Sequence, residues 1–347
     1  MQIPLPPASF RPTTPFHMVW LATDACQLRC LHCSSNSAQR SQDELTTAEA
    51  IDLINQLAET GVVDLAISGG EPLLRHDLCD IIAYARSQGL SVGVGTSGAA
   101  SSTSRLIRLR DSGINRLQVS LDGLANEHEQ LRCQPGLFER AVRTIKMGLV
   151  LGMRIHVCCT ITRLNAHKLE LFTDFVARLG VRRLNLSRYV PTGRGTDVLD
   201  IDDVEWRAVI ERCSRLKSDY KRKLEIVTHL AQGILVDEEV TSLPSFIGCQ
   251  AGIGQGCVTA NGTVLPCVLL PISLGNIRHA SFREIWTNSP IVQELQARAT
   301  LKGKCGACSI SDRCGGCRAV AYAKTGDYLQ TDPRCWVEVA AIRPISH

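Results

Sequence analysis

Between residues 18 and 219, short runs rich in apolar and β-branched residues alternate with longer stretches in which apolar positions recur at helical spacing. The runs at 18–23, 64–68, 91–96, 116–121, 154–162 and 182–189 read as strands. Helices are predicted between them. One opens at Thr46, where Thr46-Thr47-Ala48-Glu49 has the residues of a capping box. Others cover 77–88, 102–112, 137–151 and 166–179. Gly89, Gly113, Gly152 and Gly180 each follow a predicted helix, where a left-handed stop favours a residue without Cβ.

Strands that return through crossover helices lie parallel to one another. Six such units fall short of the eight that close a barrel, so the expected fold is α/β, a partial (β/α)6 TIM-like barrel over residues 18–224. Its site would lie at the C-terminal ends of the strands. Segments 26–33, 69–72, 97–98, 122–123 and 191–195 all fall at that face. Residues 1–17 read as an N-terminal extension and 225–248 as a connector. From 249 to 347 helical periodicity weakens and Cys, Gly and Pro rise, which marks a small cysteine-rich C-terminal domain. A segment with so little apolar pattern needs another source of stability, and bound metal can supply it.

Composition narrows the picture. The chain has 347 residues and is 44% hydrophobic, enough for one large domain and a smaller one. A net charge of +4 with no long basic run carries neither a nucleic-acid footprint nor a polybasic membrane patch. No apolar stretch reaches transmembrane length, and residues 1–14 lack the features of a signal peptide, so a cytoplasmic protein is expected. In that compartment the 16 cysteines would stay reduced and available to metal. Three fall between Cys26 and Cys33 and eight between Cys249 and Cys335, while Cys79, Cys133, Cys158, Cys159 and Cys213 are scattered.

Cys26-x3-Cys30-x2-Cys33 follows the first strand. Three thiolates on a short loop can hold three irons of a [4Fe–4S] cube and leave the fourth open to another ligand. A zinc site would need a fourth ligand, and only His32 is near. With Gly69-Gly70-Glu71-Pro72 after the second strand, the chain resembles the radical SAM superfamily over roughly residues 15 to 215.

The resemblance implies a cluster that binds S-adenosyl-L-methionine (SAM), reductive cleavage to a 5′-deoxyadenosyl radical, and hydrogen abstraction from a C–H bond. It implies that Gly69, Gly70, Glu71 and Pro72 receive the methionine amino group, with Glu71 as acceptor. It also places Ser97, Gly98, Ser120, Asp122 and Arg132 near the ribose and the methionine carboxylate. His32 stands where the family often has an aromatic residue. Arg194, between Gly193 and Gly195, is either a receiver for a carboxylate or a solvated loop residue. One of Cys158 and Cys159 should point into the barrel, and an inert buried thiol is the favoured reading of it.

The C-terminal cysteines run Cys249, Cys257, Cys267, then Cys305, Cys308, Cys314, Cys317 and Cys335. This array resembles the SPASM extension of radical SAM maturases. Cys314-Gly-Gly-Cys317 is one residue shorter than that pattern. The resemblance implies auxiliary [4Fe–4S] clusters, one held by Cys249, Cys257, Cys267 and Cys317 and another by Cys305, Cys308, Cys314 and Cys335. One cluster, or two zinc sites, would also use such spacings. Val268 stands where sulfatase-maturing relatives carry an Asp, against the same alcohol or thiol oxidation.

For the substrate, maturation of a ribosomal peptide or protein side chain by crosslinking, oxidation or decarboxylation is placed first. Modification of tetrapyrrole propionates comes second, because 191–195, 275–278 and 314–333 resemble segments of heme- and heme d1-forming enzymes. A sugar or other small metabolite is third, and a non-enzymatic electron-transfer or zinc module is the contrasting class. A flavodoxin- or ferredoxin-type electron donor is expected. So is a separate peptide-docking protein if the substrate is a peptide, because only about 17 residues precede the first strand.

Overall fold

The computed structural model describes residues 12–243 and 246–338. Most of the expected N-terminal extension (1–11) and the end of the C-terminal domain (339–347) lie outside the described residues. The strands are β1 (His17–Leu21), β2 (Asp64–Ser68), β3 (Ser91–Thr96), β4 (Arg116–Ser120), β5 (Ile155–Ile161), β6 (Arg183–Arg188) and β7 (Glu225–His229). Each is parallel to the next. Helices α1 (Thr47–Thr60), α2 (Leu78–Ser87), α3 (Thr103–Asp111), α4 (Ala125–Arg132), α5 (Leu137–Val150), α6 (Leu169–Arg178) and α7 (Asp203–Tyr220) connect them. The Thr46–Glu49 capping box forms as the sequence predicts, and α1 ends on left-handed Gly61.

The stretch read as a connector differs from expectation, since it opens with β7, a strand that pairs along β6. The run Glu225-Ile-Val-Thr-His is β-branched and alternating, but too short to stand out beside the polar end of α7. At the other edge, β8 (Gln255–Val258) lies parallel to β1, and β9 (Thr263–Leu265) and β10 (Gly275–Asn276) continue antiparallel. The cysteine-rich half therefore shares a ten-stranded sheet with the barrel and covers the edge that β1 would otherwise expose.

Alternate strand positions explain the barrel's interior. Met18, Trp20, Leu65, Ile67, Val92, Val94, Leu117, Val119, Val157, Leu184 and Leu186 are buried in the main apolar core. The opposite phase carries Ala66, Ser68, Gly95, Gln118, Ser120, Cys158, Thr160 and Ser187, all only half-buried. Closed barrels fill this inner face with branched aliphatics. Small and polar residues here leave room above a closed floor. In that floor Arg116 grips Asp64 through two nitrogens at 2.6 and 2.7 Å, His17 meets Asp64 at 2.6 Å, and Asn185 donates to Gln118 at 2.9 Å. Cys158 lies in the inner phase, whereas Cys159 is fully buried in the outer core.

His156, on the inner phase of β5, is held neutral. Burial, with Arg183 and Arg116 nearby, pulls it down to about 4. An unfolded chain would take up this proton near pH 6.5, so the contribution to stability is complete above about 6.5 and is lost as pH falls toward 4. Thermal midpoints measured across that window should drop less for His156→Gln than for the parent protein.

Candidate functional site

The loop after β1 is closed at its base and braced from outside. A bridge joins Ala25 to Ala38, with Cys26 N–H donating to Ala38 O at 2.9 Å and Ala38 N–H to Asp24 O at 2.9 Å. Cys26, Cys30 and Cys33 pack together with Leu28, Leu137 and Ala99. Burial pushes the Cys30 thiol up to about 11 and raises Cys26 as well.

Arg194 is the outer brace. Its backbone N–H donates to Cys33 O at 2.9 Å, its Nε to Cys30 O at 3.1 Å, and both terminal nitrogens to Ser37 O at 3.0 Å. The guanidinium is thus engaged by the cysteine loop's own carbonyls. Both expected readings, a receiver for a carboxylate and a solvated loop residue, give way to a clamp, with partners 164 and 157 residues away in sequence. Gly193, at φ 62°, lies so close that a Cβ would stand 2.4 Å from both Cys33 O and Ser34 O.

Gly69-Gly70-Glu71-Pro72 packs against the stem of that loop. A Cβ on Gly70 would stand 2.2 Å from Ala25 O, and Gly70 and Glu71 N–H donate to Thr23 O and Ala25 O at 2.7 and 2.8 Å. The glycines thus let the loop's own backbone approach. Glu71 is 0% exposed. Its Oε1 accepts from Thr96 Oγ1 at 2.8 Å and Leu73 N–H at 3.3 Å, and its Oε2 from Ser97 N–H at 3.0 Å and Ser97 Oγ at 2.6 Å. Two donors reach each oxygen, so Glu71 ties β2 to β3 and is not arranged as a free acceptor for an amino group. Ser97 likewise spends its hydroxyl proton on Glu71. Burial raises the Glu71 carboxyl against these hydrogen bonds.

Asp122, just after β4, is a second junction. Its Oδ2 meets His32 Nε2 at 3.3 Å and Arg132 Nε and Nη2 at 2.8 and 2.7 Å, and its Oδ1 accepts Thr160 N–H at 2.9 Å. Arg132 and His32 hold the buried carboxyl well below the usual carboxylate range, despite its desolvation. The His32 that replaces an aromatic residue is therefore anchored, with its Nδ1 buried and unpartnered. Ser120, half-buried at the end of β4, is level with Cys158. The expected set 69–72, 97, 120, 122 and 132 thus frames one end of the barrel, beside the cysteine loop.

The C-terminal cysteines separate into two adjoining groups. Cys249, Cys267 and Cys317 share a small core with Val190 and Leu270, and Cys257, buried in β8, packs with Leu21 and Leu265 in a cluster that adjoins this core at Val268. Burial pushes Cys267 to about 12 and Cys317 to about 11. Cys305, Cys308, Cys314 and Cys335 line a partly open pocket with Gly316 and Gln232. Four thiols lining one pocket suit a multi-iron group, with one sulfur per iron.

The shortened Cys314-Gly-Gly-Cys317 spacing is accommodated by two successive left-handed glycines, Gly315 at φ 69° and Gly316 at φ 57°. They turn the chain sharply enough for Cys314 and Cys317 to join different groups.

Periodicity and motif reading missed the residues that join the two halves. Arg188 ends β6 in the buried phase and meets Asp332 at 2.6 and 3.1 Å, and it stacks over Trp206 at 4.7 Å. Asp332 also accepts Gln232 Nε2 at 2.6 Å and Cys317 N–H at 2.8 Å. A charged residue in the apolar phase of a strand is the signal that marks Arg188. Helix α4, which carries Arg132 and His128, was also missed, because its Asn, Glu, His and Gln residues lack an apolar stripe.

Comparison with known proteins gives matches along the chain. Residues 20–176 match the model of the radical SAM superfamily, and 249–315 match that of an iron–sulfur cluster-binding domain, SPASM. The chain is 33% identical to an AdoMet-dependent heme synthase of Methanosarcina barkeri over 92% of this chain and 95% of that protein. It is 30% identical to the mycofactocin maturase MftC of Mycobacterium tuberculosis over 92% of this chain and 83% of that protein. The fold aligns with Streptococcus suis SuiB bound to S-adenosylmethionine at TM-score 0.77 and 19% identity, covering 94% of this chain and 78% of that one.

Two outcomes check this geometry. Gly193→Ala forces a side chain into the Cys33 and Ser34 carbonyls, so anaerobically reconstituted protein should carry about four irons fewer per chain, by iron and sulfide assay. Asp332→Ala leaves Arg188 buried without its carboxylate and should cost about 3–5 kcal/mol, read as a lower unfolding midpoint.

Proposed function

Because the chain belongs to the radical SAM superfamily, we propose that it uses a SAM-binding [4Fe–4S] cluster to modify side chains of a propionate-bearing tetrapyrrole. When bound, these cofactors supply reductive cleavage of SAM and a 5′-deoxyadenosyl radical that takes a hydrogen atom from the substrate. Cys26, Cys30 and Cys33 hold the cluster, and Arg194 and Gly193 fix the loop that presents them. Gly69, Gly70 and Pro72 shape the adjoining wall, which Glu71 and Ser97 make rigid.

Arg132 spends Nε and Nη2 on Asp122, which leaves Nη1 as a donor for the SAM carboxylate. Ser120 and Asp122 border the ribose side. Cys249, Cys257, Cys267 and Cys317 hold one auxiliary cluster, and Cys305, Cys308, Cys314 and Cys335 hold the other. The half-buried small residues of the barrel's inner face leave space for a broad substrate.

The observation that carries the tetrapyrrole reading is 33% identity to a heme synthase over 92% of this chain and 95% of that protein. Similarity to a mycofactocin maturase favours a peptide as the second reading. No helix among the described residues is long and apolar enough to cross a membrane. Thiolates that must stay free for iron suit work in the cytoplasm, with a flavodoxin or ferredoxin as electron donor. A peptide substrate would add a separate docking protein.

The test is anaerobic incubation with SAM, dithionite and iron-coproporphyrin III, in parallel with precursor peptides encoded near the gene. 5′-Deoxyadenosine should accumulate with the porphyrin, and by mass spectrometry each modified propionate should lose carbon dioxide and two hydrogens, one taken as an atom by the 5′-deoxyadenosyl radical and one released as a proton, with the remaining electron passing to an oxidised auxiliary cluster. Turnover of a peptide alone would replace the first reading with the second. Cys30→Ala should abolish 5′-deoxyadenosine formation, whereas Cys308→Ala should retain cleavage uncoupled from product.

A further inference from the structure

Arg318 follows Cys317 directly and is only 3% exposed. Its Nη1 donates to the Tyr328 and Gln330 carbonyls at 2.9 and 2.7 Å, and its Nη2 donates to Cys305 Sγ at 3.5 Å. Its Nε is buried without a partner. Among the described residues no carboxylate lies at ion-pair distance from it. Asp327, an acid that feels its charge, is itself paired with Lys302 at 2.6 Å. Gly316 makes the approach possible, because a Cβ there would stand 2.8 Å from Arg318 Nη2 and 3.2 Å from Cys305 Sγ.

A buried guanidinium is unfavourable unless an anion accompanies it. Two carbonyls supply only part of that compensation. The remaining partner within reach is the sulfur of Cys305, which becomes anionic once it ligates iron. Backbone donors add to the same group. Asp332 N–H reaches Cys305 Sγ at 3.4 Å, and Gly316 N–H reaches Cys314 Sγ at 3.5 Å.

The neighbouring group is different. Its Cys267 sulfur receives neutral donors, Gln255 Nε2 at 3.4 Å and Leu269 N–H at 3.5 Å, and the one further cation at its cysteines, Arg298, reaches the Cys249 carbonyl at 2.5 Å and the Ser311 and Asp312 carbonyls at 2.9 Å, not a sulfur, among the described residues. Arg188, whose charge acts on Cys317, is cancelled by its two contacts with Asp332, and the same pairing cancels Asp332 toward Cys305. Donors to sulfur and nearby positive charge favour the reduced, more negative state of an iron–sulfur group.

We propose that Arg318 raises the reduction potential of the cluster held by Cys305, Cys308, Cys314 and Cys335 above that of the cluster held by Cys249, Cys257, Cys267 and Cys317. This rests on the ligand assignment made above. Arg318 is a positioning and tuning residue that acts through the Cys305 sulfur.

The test is a redox titration of full-length reconstituted protein followed by electron paramagnetic resonance, with iron and sulfide measured on each sample. Wild type should show two auxiliary potentials. In Arg318→Gln, at unchanged iron, the higher one should fall so that its reduced-to-oxidised ratio at fixed solution potential drops at least tenfold, equivalent to about 59 mV for one electron. The lower one should stay. Arg318→Lys, which keeps the charge, should change that ratio less than threefold.

An unmoved potential in an iron-replete Arg318→Gln protein contradicts the proposal, as does an equal shift in Arg318→Lys. A wild type whose two auxiliary clusters share one potential contradicts it without reference to any variant. Wild-type protein with iron for only the SAM cluster would overturn the ligand assignment itself.

Discussion

A thiol far from water stays protonated unless a positive partner offsets the burial of its charge, and this constraint organises the protein. Burial pushes Cys30 and Cys317 to about 11 and Cys267 and Cys314 to about 12. Side chains so placed lose their protons readily only to metal, so cluster assembly, deprotonation and local folding are linked. The surrounding residues serve that end from several directions. Arg194 holds the first loop by its carbonyls, two left-handed glycines direct Cys314 and Cys317 apart, and Asp332 joins both auxiliary groups to β6.

The two halves are joined through the backbone and through side chains. The sheet runs from β10 through β8 into β1 and on to β7, so backbone hydrogen bonds carry the C-terminal half onto the barrel. The Arg188–Asp332 pair then makes a buried electrostatic tie at the active end. A pair this deep gives little net stability over an apolar substitute, but it penalises any arrangement in which one charge is left alone. It therefore acts chiefly to hold Cys317 and Cys305 in register with the barrel.

Much of this fold was legible because its signals are local. The six strands expected from alternation all form, and Thr46, Gly89 and Gly152 act as the helix boundaries they suggest. Elements without a strong pattern were lost. These were the polar helix α4 and β7 within the apparent connector; α7 was passed over although Trp206, Val209, Ile210, Cys213 and Leu216 recur at helical spacing. The cysteine spacings identified the family, yet partners distant in sequence were not readable. Glu71 and Arg194 looked like free recognition groups, because only the folded chain shows Thr96 and Ser97 filling one and the Cys30 and Ser37 carbonyls filling the other. Arg318 stood in a recognisable motif, but its contact with Cys305 depends on the turn at Gly316.

The central claim is a cluster bound by three thiolates, with one iron left for SAM. Mössbauer spectra of iron-enriched protein, recorded with and without SAM, test it most directly. The account expects a single iron subsite of one cluster to change its parameters when SAM is added, while all other iron is undisturbed. Spectra that do not change with SAM, from protein whose iron is fully incorporated, would contradict it.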